Sequence, residues 1–165
     1  MLHVVQILDG LGLGGLEKGV VTLANHTSAD IRHTIICLRH SGPSAEQLPA
    51  HVPVIEMQKA AGNSPAFLLR LAKQIRQLQP DVVHTRNWGG MDGIIAARMA
   101  GVSRIIHGEH GWDLGDPQGA SRKRRRVRRL LSLGVTEYVA VSQRIAAWLR
   151  DGVRVMRPVN QIYNG

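Results

Sequence analysis

The chain of 165 residues contains one cysteine, which excludes a disulfide within it and suits a reducing compartment. That thiol, Cys37, lies in the apolar run "HTIICLRH", where a buried, inert side chain is expected rather than a nucleophile. Aromatic residues are sparse, at three Trp, two Tyr and one Phe. They are too few to interleave with cations as the stacking platforms of nucleic-acid binders do. No apolar run approaches the roughly 20 residues that cross a bilayer. "MLHVVQIL" has no basic leader or cleavage site, so a signal peptide is not expected. Acidic residues are outnumbered 12 to 21 by Lys and Arg, for a formal net charge of +9. The excess is local. "RKRRRVRR", residues 122–129, holds seven cations, and without them the chain carries only +2.

What is present reads as one globular domain, 1–165, with 44% hydrophobic and 20% charged residues. Short runs rich in Val and Ile predict strands at 2–8, 33–38, 52–57, 81–85, 104–107, 137–141 and 160–163. Helical spacing of apolar residues predicts helices at 16–26, 65–78, 90–100, 121–133 and 142–150. Ser64 with Pro65, and Ser142, are N-cap signals, while Gly101, Gly134 and Gly152 are stops. "HSGPSAEQLP" and "KAAGNSP" read as loops. Such alternation implies βαβ units, hence an α/β fold: a Rossmann-like open parallel sheet with helices on both faces. Ligands bind such sheets outside the carboxyl ends of the strands, which directs attention to the loops after Leu8, Thr85, His107 and Val141.

The first of these loops, in "ILDGLGLGGLEKGVVTLA", satisfies G-x-G-x-x-G at Gly10, Gly12 and Gly15. A dinucleotide site also needs an acid at the end of the second strand to hold ribose hydroxyls. Asp30 precedes that strand, and its end reads "CLRHSG", with Arg39 and His40 where the acid belongs. An arginine there can meet a ribose phosphate, so an NADP site stays as an alternative. Gly14-Gly15 before Leu16-Glu17 instead lets backbone amides at a helix start meet an anion. A tight turn with no ligand is the plainer reading.

"GLGLGGLEKGVVTLA" resembles the strand, G-G-x-E turn and apolar helix that open family-four retaining glycosyltransferases of the GT-B fold. "QPDVVHTRNWGGMDGIIAARMAGV" is similar to their D-V-V-H-x-H segment, and "RIIHGEHGWD" to their strand ending in a histidine loop. "TEYVAVSQRIAAWL" is similar to their V-S turn, and "VNQIYNG" to the I-x-N-G leading into a second domain. The similarity narrows toward sugar transferases of bacterial exopolysaccharide clusters.

The resemblance implies one half of a GT-B fold, the acceptor-side domain, with the donor-binding C-terminal domain absent from this chain. It implies transfer of a sugar, with retention, from a nucleotide-sugar donor to a glycan or lipid-linked acceptor, and an isolated domain that does not turn over. The donor is a substrate, and no cofactor or metal is expected. Gly14, Gly15 and Glu17 match the turn near the donor phosphates and sugar. Oriented amides there can stabilise a departing diphosphate. Glu17 also suits the first helical turn by charge alone. His110 matches the histidine that contacts the transferred sugar, the catalytic candidate. The alternatives are a plain loop residue, or a metal ligand with His107, Glu109 and Asp113. His107 itself reads as buried and hydrogen-bonded.

Where the family has a second histidine, this chain has Arg86, suited to an anionic acceptor or to the surface. Asn87, Trp88 and Glu109 complete the acceptor candidates, Trp88 either stacking on a sugar or packing at a helix start. Arg122, Lys123, Arg124, Arg125, Arg126, Arg128 and Arg129 are read as a membrane-surface helix, with Val127, Leu130, Leu131 and Leu133 as its apolar stripe. Solvation alone or a nucleic-acid partner are the alternatives, and the second lacks any reader motif. The expected location is cytoplasmic, peripheral on the inner face of the cell membrane.

Overall fold

A computed structural model describes residues 1–62, 64–113 and 115–163. Asn63 of the second loop, and Asn164 and Gly165 of the I-x-N-G segment, lie outside the described residues. Among the described residues seven parallel strands form one sheet, ordered β3-β2-β1-β4-β5-β6-β7. They are β1 (Leu2–Leu8), β2 (Ile31–Cys37), β3 (Val54–Glu56), β4 (Val82–Arg86), β5 (Arg104–Glu109), β6 (Glu137–Ala140) and β7 (Val159–Gln161). The helices are α1 (Gly15–His26), α2 (Pro65–Leu78), α3 (Met91–Met99), α4 (Arg122–Leu131) and α5 (Gln143–Ala147).

Burial divides the two faces unequally. Val20, Leu16 and Ala24 of α1 pack on Leu8, Ile35 and Cys37. The opposite face carries the rest: Phe67, Leu71 and Ile75 of α2 and Ala96 and Ala97 of α3 meet Val5, Ile36, Val83 and Ile105. Ile145 and Ala146 of α5 meet Tyr138, Ala140 and Val159. Cys37 is fully buried, and burial pushes its thiol up to about 12, as an inert core residue requires.

Capping explains why the helices start where they do. Ser64 accepts from the Phe67 amide with Pro65 behind it, Ser121 from Arg124, and Ser142 from Ile145. Gly101 ends α3 in the left-handed region at φ +88°. Gly93 serves packing: a Cβ there would lie 2.8 Å from Thr85 Cγ2 and 3.0 Å from Ile7 Cγ2. Its absence lets α3 settle directly on β1 and β4.

Several boundaries differ from expectation. β3 keeps only three residues because it pairs with β2 alone, at the sheet edge. β5 runs on to Glu109, since β4 and β6 both extend beside it. The fifth helix passes through Gly152 as a π-helical turn, Trp148–Val153, and reverses at Arg154, φ 60°. Leu149 and Val153 are buried there, and that packing overrides the glycine stop.

Candidate functional site

β1 and β4 are neighbours, but the chain leaves them toward opposite ends of the sheet. Their following loops therefore diverge and leave a crevice at the switch point. It opens into a cleft of about 800 Å3 lined by Gly10, Glu17, Arg39, Lys59, Arg86, Asn87, Trp88, Asp92, Trp112, Asp113 and Lys123, among others. Cations and acids are paired around it. Arg39 reaches Asp9 (3.2 Å), Lys59 reaches Asp92 (2.5 Å), and Arg124 reaches Asp113 (3.4 Å). The Arg39–Asp9 pair is exposed, as is usual for a surface ion pair.

The glycines of the first loop do two jobs. A Cβ on Gly10 would sit 2.6 Å from the His40 carbonyl oxygen, and one on Gly42 2.4 Å from that of Leu11. These two let the loops after β1 and β2 touch. Gly15 has no such duty: a Cβ there meets nothing within 4 Å. Gly14 is the N-cap of α1 and supplies no side-chain cap, and both glycines are exposed. The Glu17 carboxylate leans back over Gly14, where a Cβ would lie 2.5 Å from Oε2. A helix start carrying bare amides and a movable carboxylate is ready to exchange that carboxylate for another anion.

The second loop is built around Asn87, held at φ 49°. Its amide donates to the Gly108 carbonyl (2.8 Å), and its Oδ1 accepts from the His110 amide (2.6 Å). Asn87 thus ties the end of β4 to the loop after β5 and sets where His110 stands. His110 Nε2 accepts from Arg86 Nη1 (2.7 Å). Arg86 Nη2 donates to Gln6 Oε1 (3.0 Å) and approaches His84 Nδ1 (3.4 Å). Arg86 is only 4% exposed, and burial lowers its pKa to about 10. Burial, then the Arg86 charge, holds His84 well below the usual histidine range, so it is neutral here.

Two expectations are corrected. Glu109 is 1% exposed and cannot contact an acceptor. Ile105, His107 and Glu109 alternate onto the same face of β5, which meets α2 and α3 at Ile105 and α4 at Glu109. Arg128, expected on the membrane surface, is 2% exposed and is the partner that Glu109 requires. Its Nε lies 2.6 Å from Glu109 Oε1 and its Nη2 2.8 Å from Asp113 Oδ2. The guanidinium sits 5.0 Å from the Trp88 ring and 5.1 Å from that of Trp148. Burial alone would raise the Glu109 pKa, but the His107 contact and the Arg128 charge outweigh it and leave it lowered. Trp88 is thus packed against Arg124 and Arg128 while still lining the cleft.

The rest of α4 also departs from the expected stripe. Arg124 is held by Asp113, and Arg125 Nε donates to the Gly119 carbonyl (2.6 Å). Arg122, Lys123, Arg126 and Arg129 remain exposed, and so do Leu130 at 66% and Leu133 at 52%. His107 is buried as expected, its Nδ1 2.7 Å from Thr85 Oγ1. Among the described residues no group of three or more His, Cys, Asp or Glu is placed to hold a metal ion. Lys59, Asp92, Asp113 and Lys123 were missed as cleft residues. The signal available for Arg128 was Glu109 on the buried face of its strand, since a buried carboxylate demands a cation.

The family model of Glycosyltransferase Family 4 matches residues 13–165. No curated protein matches. A glycosyltransferase from Rickettsia africae superposes with a TM-score of 0.76 at 20% identity, covering 99% of this chain and 43% of its own. Anabaena HepE, solved with UDP and glucose, gives 0.72 at 18% identity, covering 100% of this chain and 45% of its own. S. aureus MnaA, solved with UDP, gives 0.60 at 15%, covering 96% and 43%. The chain therefore spans under half the length of these similar structures, and at such identities the likeness is one of fold.

Proposed function

Because the chain belongs to glycosyltransferase family 4, we propose that it is the acceptor-side half of an enzyme that moves a sugar, with retention, from a nucleotide-sugar donor to a glycan or lipid-linked acceptor, in exopolysaccharide assembly. The observation that carries this reading is the cleft at the switch point, lined on one wall by Leu16 and Glu17, in the first turn of α1 just after the uncapped Gly14-Gly15 start, and on the other by the Arg86 loop. The amides at 14 and 15 meet the diphosphate as it gains charge, and Glu17 gives way to it. His110, fixed through its amide by Asn87 and through Nε2 by Arg86, presents its ring to the transferred sugar. Arg86, Asn87 and Trp88 receive the acceptor. The donor is a substrate, and no cofactor or metal takes part. UDP in two of the similar structures supports a nucleotide-sugar as the donor class.

A second, donor-binding domain closes the cleft from the far side. The test is transfer of labelled sugar from UDP- and GDP-sugars, measured with this chain alone and joined to such a domain. Turnover by the joined protein and none by the chain alone is the expected pair of results. Absence of transfer from every nucleotide-sugar by the joined protein would overturn the reading.

The exposed side of α4 supports peripheral attachment to an anionic membrane on its cytoplasmic side. Arg122, Arg126, Arg129 and Leu133 recur at helical spacing, and Met156 and Arg157 bond to Ser132 and Leu133 beside them. No described helix is long and apolar enough to cross a membrane, so this surface acts by adhesion. Each cation near anionic headgroups contributes about 1 kcal/mol. Vesicles containing phosphatidylglycerol should therefore sediment the chain, and Arg122→Gln, Arg126→Gln and Arg129→Gln together should weaken binding by about 100-fold. Equal binding to neutral phosphatidylcholine vesicles, or tight oligonucleotide binding without vesicle binding, would refute the attachment.

A further inference from the structure

Arg86 is the cation whose surroundings do not balance. Of the acids lining the cleft, Asp92 holds Lys59, Asp113 holds Arg124 and Arg128, and Asp9 holds Arg39, while Glu17 leans over Gly14 at the start of α1. Among the described residues no carboxylate pairs with Arg86. Its contacts are an amide oxygen and two imidazole nitrogens, none of them an acid. A cation 4% exposed with no anion is an unfavourable arrangement for folding alone. Burial lowers its pKa and no acid restores it.

Two donors in this cluster also lack acceptors. Arg86 Nε is buried without a hydrogen bond. Arg86 can only donate, so His84 Nδ1, which faces it, takes the acceptor role and the proton stays on Nε2. That Nε2 is likewise buried and unbonded. Gly108 keeps the space between the rings open: a Cβ there would lie 2.6 Å from His110 Nε2 and 3.0 Å from His84 Nε2.

We propose that Arg86, which lines the cleft at the end of β4, is the seat of a phosphate group carried by a substrate. This deepens the transferase reading and rests on it for the identity of that substrate. A guanidinium fork matches two phosphate oxygens at once. The phosphate supplies the missing negative charge, and Arg86 stays charged at any physiological pH. Two sources fit this chemistry: the phosphate of a lipid-linked acceptor, or the diphosphate of the nucleotide donor.

The test is pyrophosphate binding, by calorimetry and thermal unfolding, in a chain whose Arg122, Arg126 and Arg129 are changed to Gln, so that surface cations do not contribute. Pyrophosphate is expected to bind and to raise the Tm. Arg86→Gln should lose about tenfold or more in affinity and the Tm response, without a lower Tm in the absence of ligand. Arg86→Lys keeps the charge without the fork and should bind severalfold more weakly. It decides the matter if the Gln variant does not fold. Displacement of pyrophosphate by farnesyl phosphate identifies the acceptor as the source, and displacement by UDP or GDP alone identifies the donor. Pyrophosphate binding that is absent, or unchanged in both Arg86 variants, overturns the proposal. No arm uses sugar transfer, so a joined protein that fails to transfer while binding pyrophosphate through Arg86 refutes only the transferase reading.

Discussion

Arg128→Ala is expected to destabilise the chain by about 3–5 kcal/mol, whereas Arg129→Ala, one residue along the same arginine run, should change stability by no more than about 0.5 kcal/mol. The two residues differ in what surrounds them. Arg129 is exposed. Arg128 is enclosed between Trp88 and Trp148 and holds both Glu109 and Asp113. Its removal leaves the Glu109 carboxylate fully buried beside Tyr138, with the His107 contact but no arginine to offset its charge. It also empties the space between two indoles. Asp113 keeps Arg124, so the loss falls on Glu109. Urea unfolding of the two variants beside wild type measures the difference. A double change, Arg128→Met with Glu109→Leu, removes both charges and should recover most of the loss. Similar midpoints for Arg128→Ala and Arg129→Ala would contradict this account of the pair.

Gly15→Leu is expected to lower sugar transfer by the joined protein about 100-fold or more while leaving the fold intact. The structure separates those outcomes. A Cβ at position 15 meets nothing within 4 Å, and the position is exposed at the first turn of α1, so the domain is expected to accommodate a side chain there. The same side chain projects from the helix start at which the diphosphate is proposed to bind, and it would hold the phosphate away from the amides. Gly10→Ala is the opposite control. Its Cβ would press within 2.6 Å of a backbone oxygen, so it should lower the Tm. His110→Ala should also cut transfer strongly, because Arg86 and Asn87 fix that residue with no evident benefit to the core. Transfer at wild-type rates by folded Gly15→Leu and His110→Ala would show that the chemistry occurs elsewhere.

Much of this was legible before any coordinates. The order of strands and helices follows from the alternation of Val/Ile runs with helical spacing, and Ser64, Ser142 and Gly101 mark their ends through bonds to nearby backbone. Such interactions are local, and local interactions are written in consecutive residues. The glycine turn was visible for the same reason. The seven-cation run was visible too, but its meaning was not. Hydropathy assigns Arg128 to solvent and Leu130 to the interior, and the fold does the reverse.

By itself, the sequence determined an open parallel α/β sheet, its element order, and a glycine-started helix at the end of the first strand. Tertiary structure alone decided that Arg128 neutralises Glu109, that Arg86 is buried with no acid beside it, and that α3 rests on a glycine face. The reason is one of range. A strand or cap depends on neighbours within a few positions, whereas a buried charge finds its partner 19 residues away at Glu109, or, for Arg86, finds no acid among the described residues. Proximity of that kind exists only after the sheet has brought the ends of β4 and β5 together beneath α4.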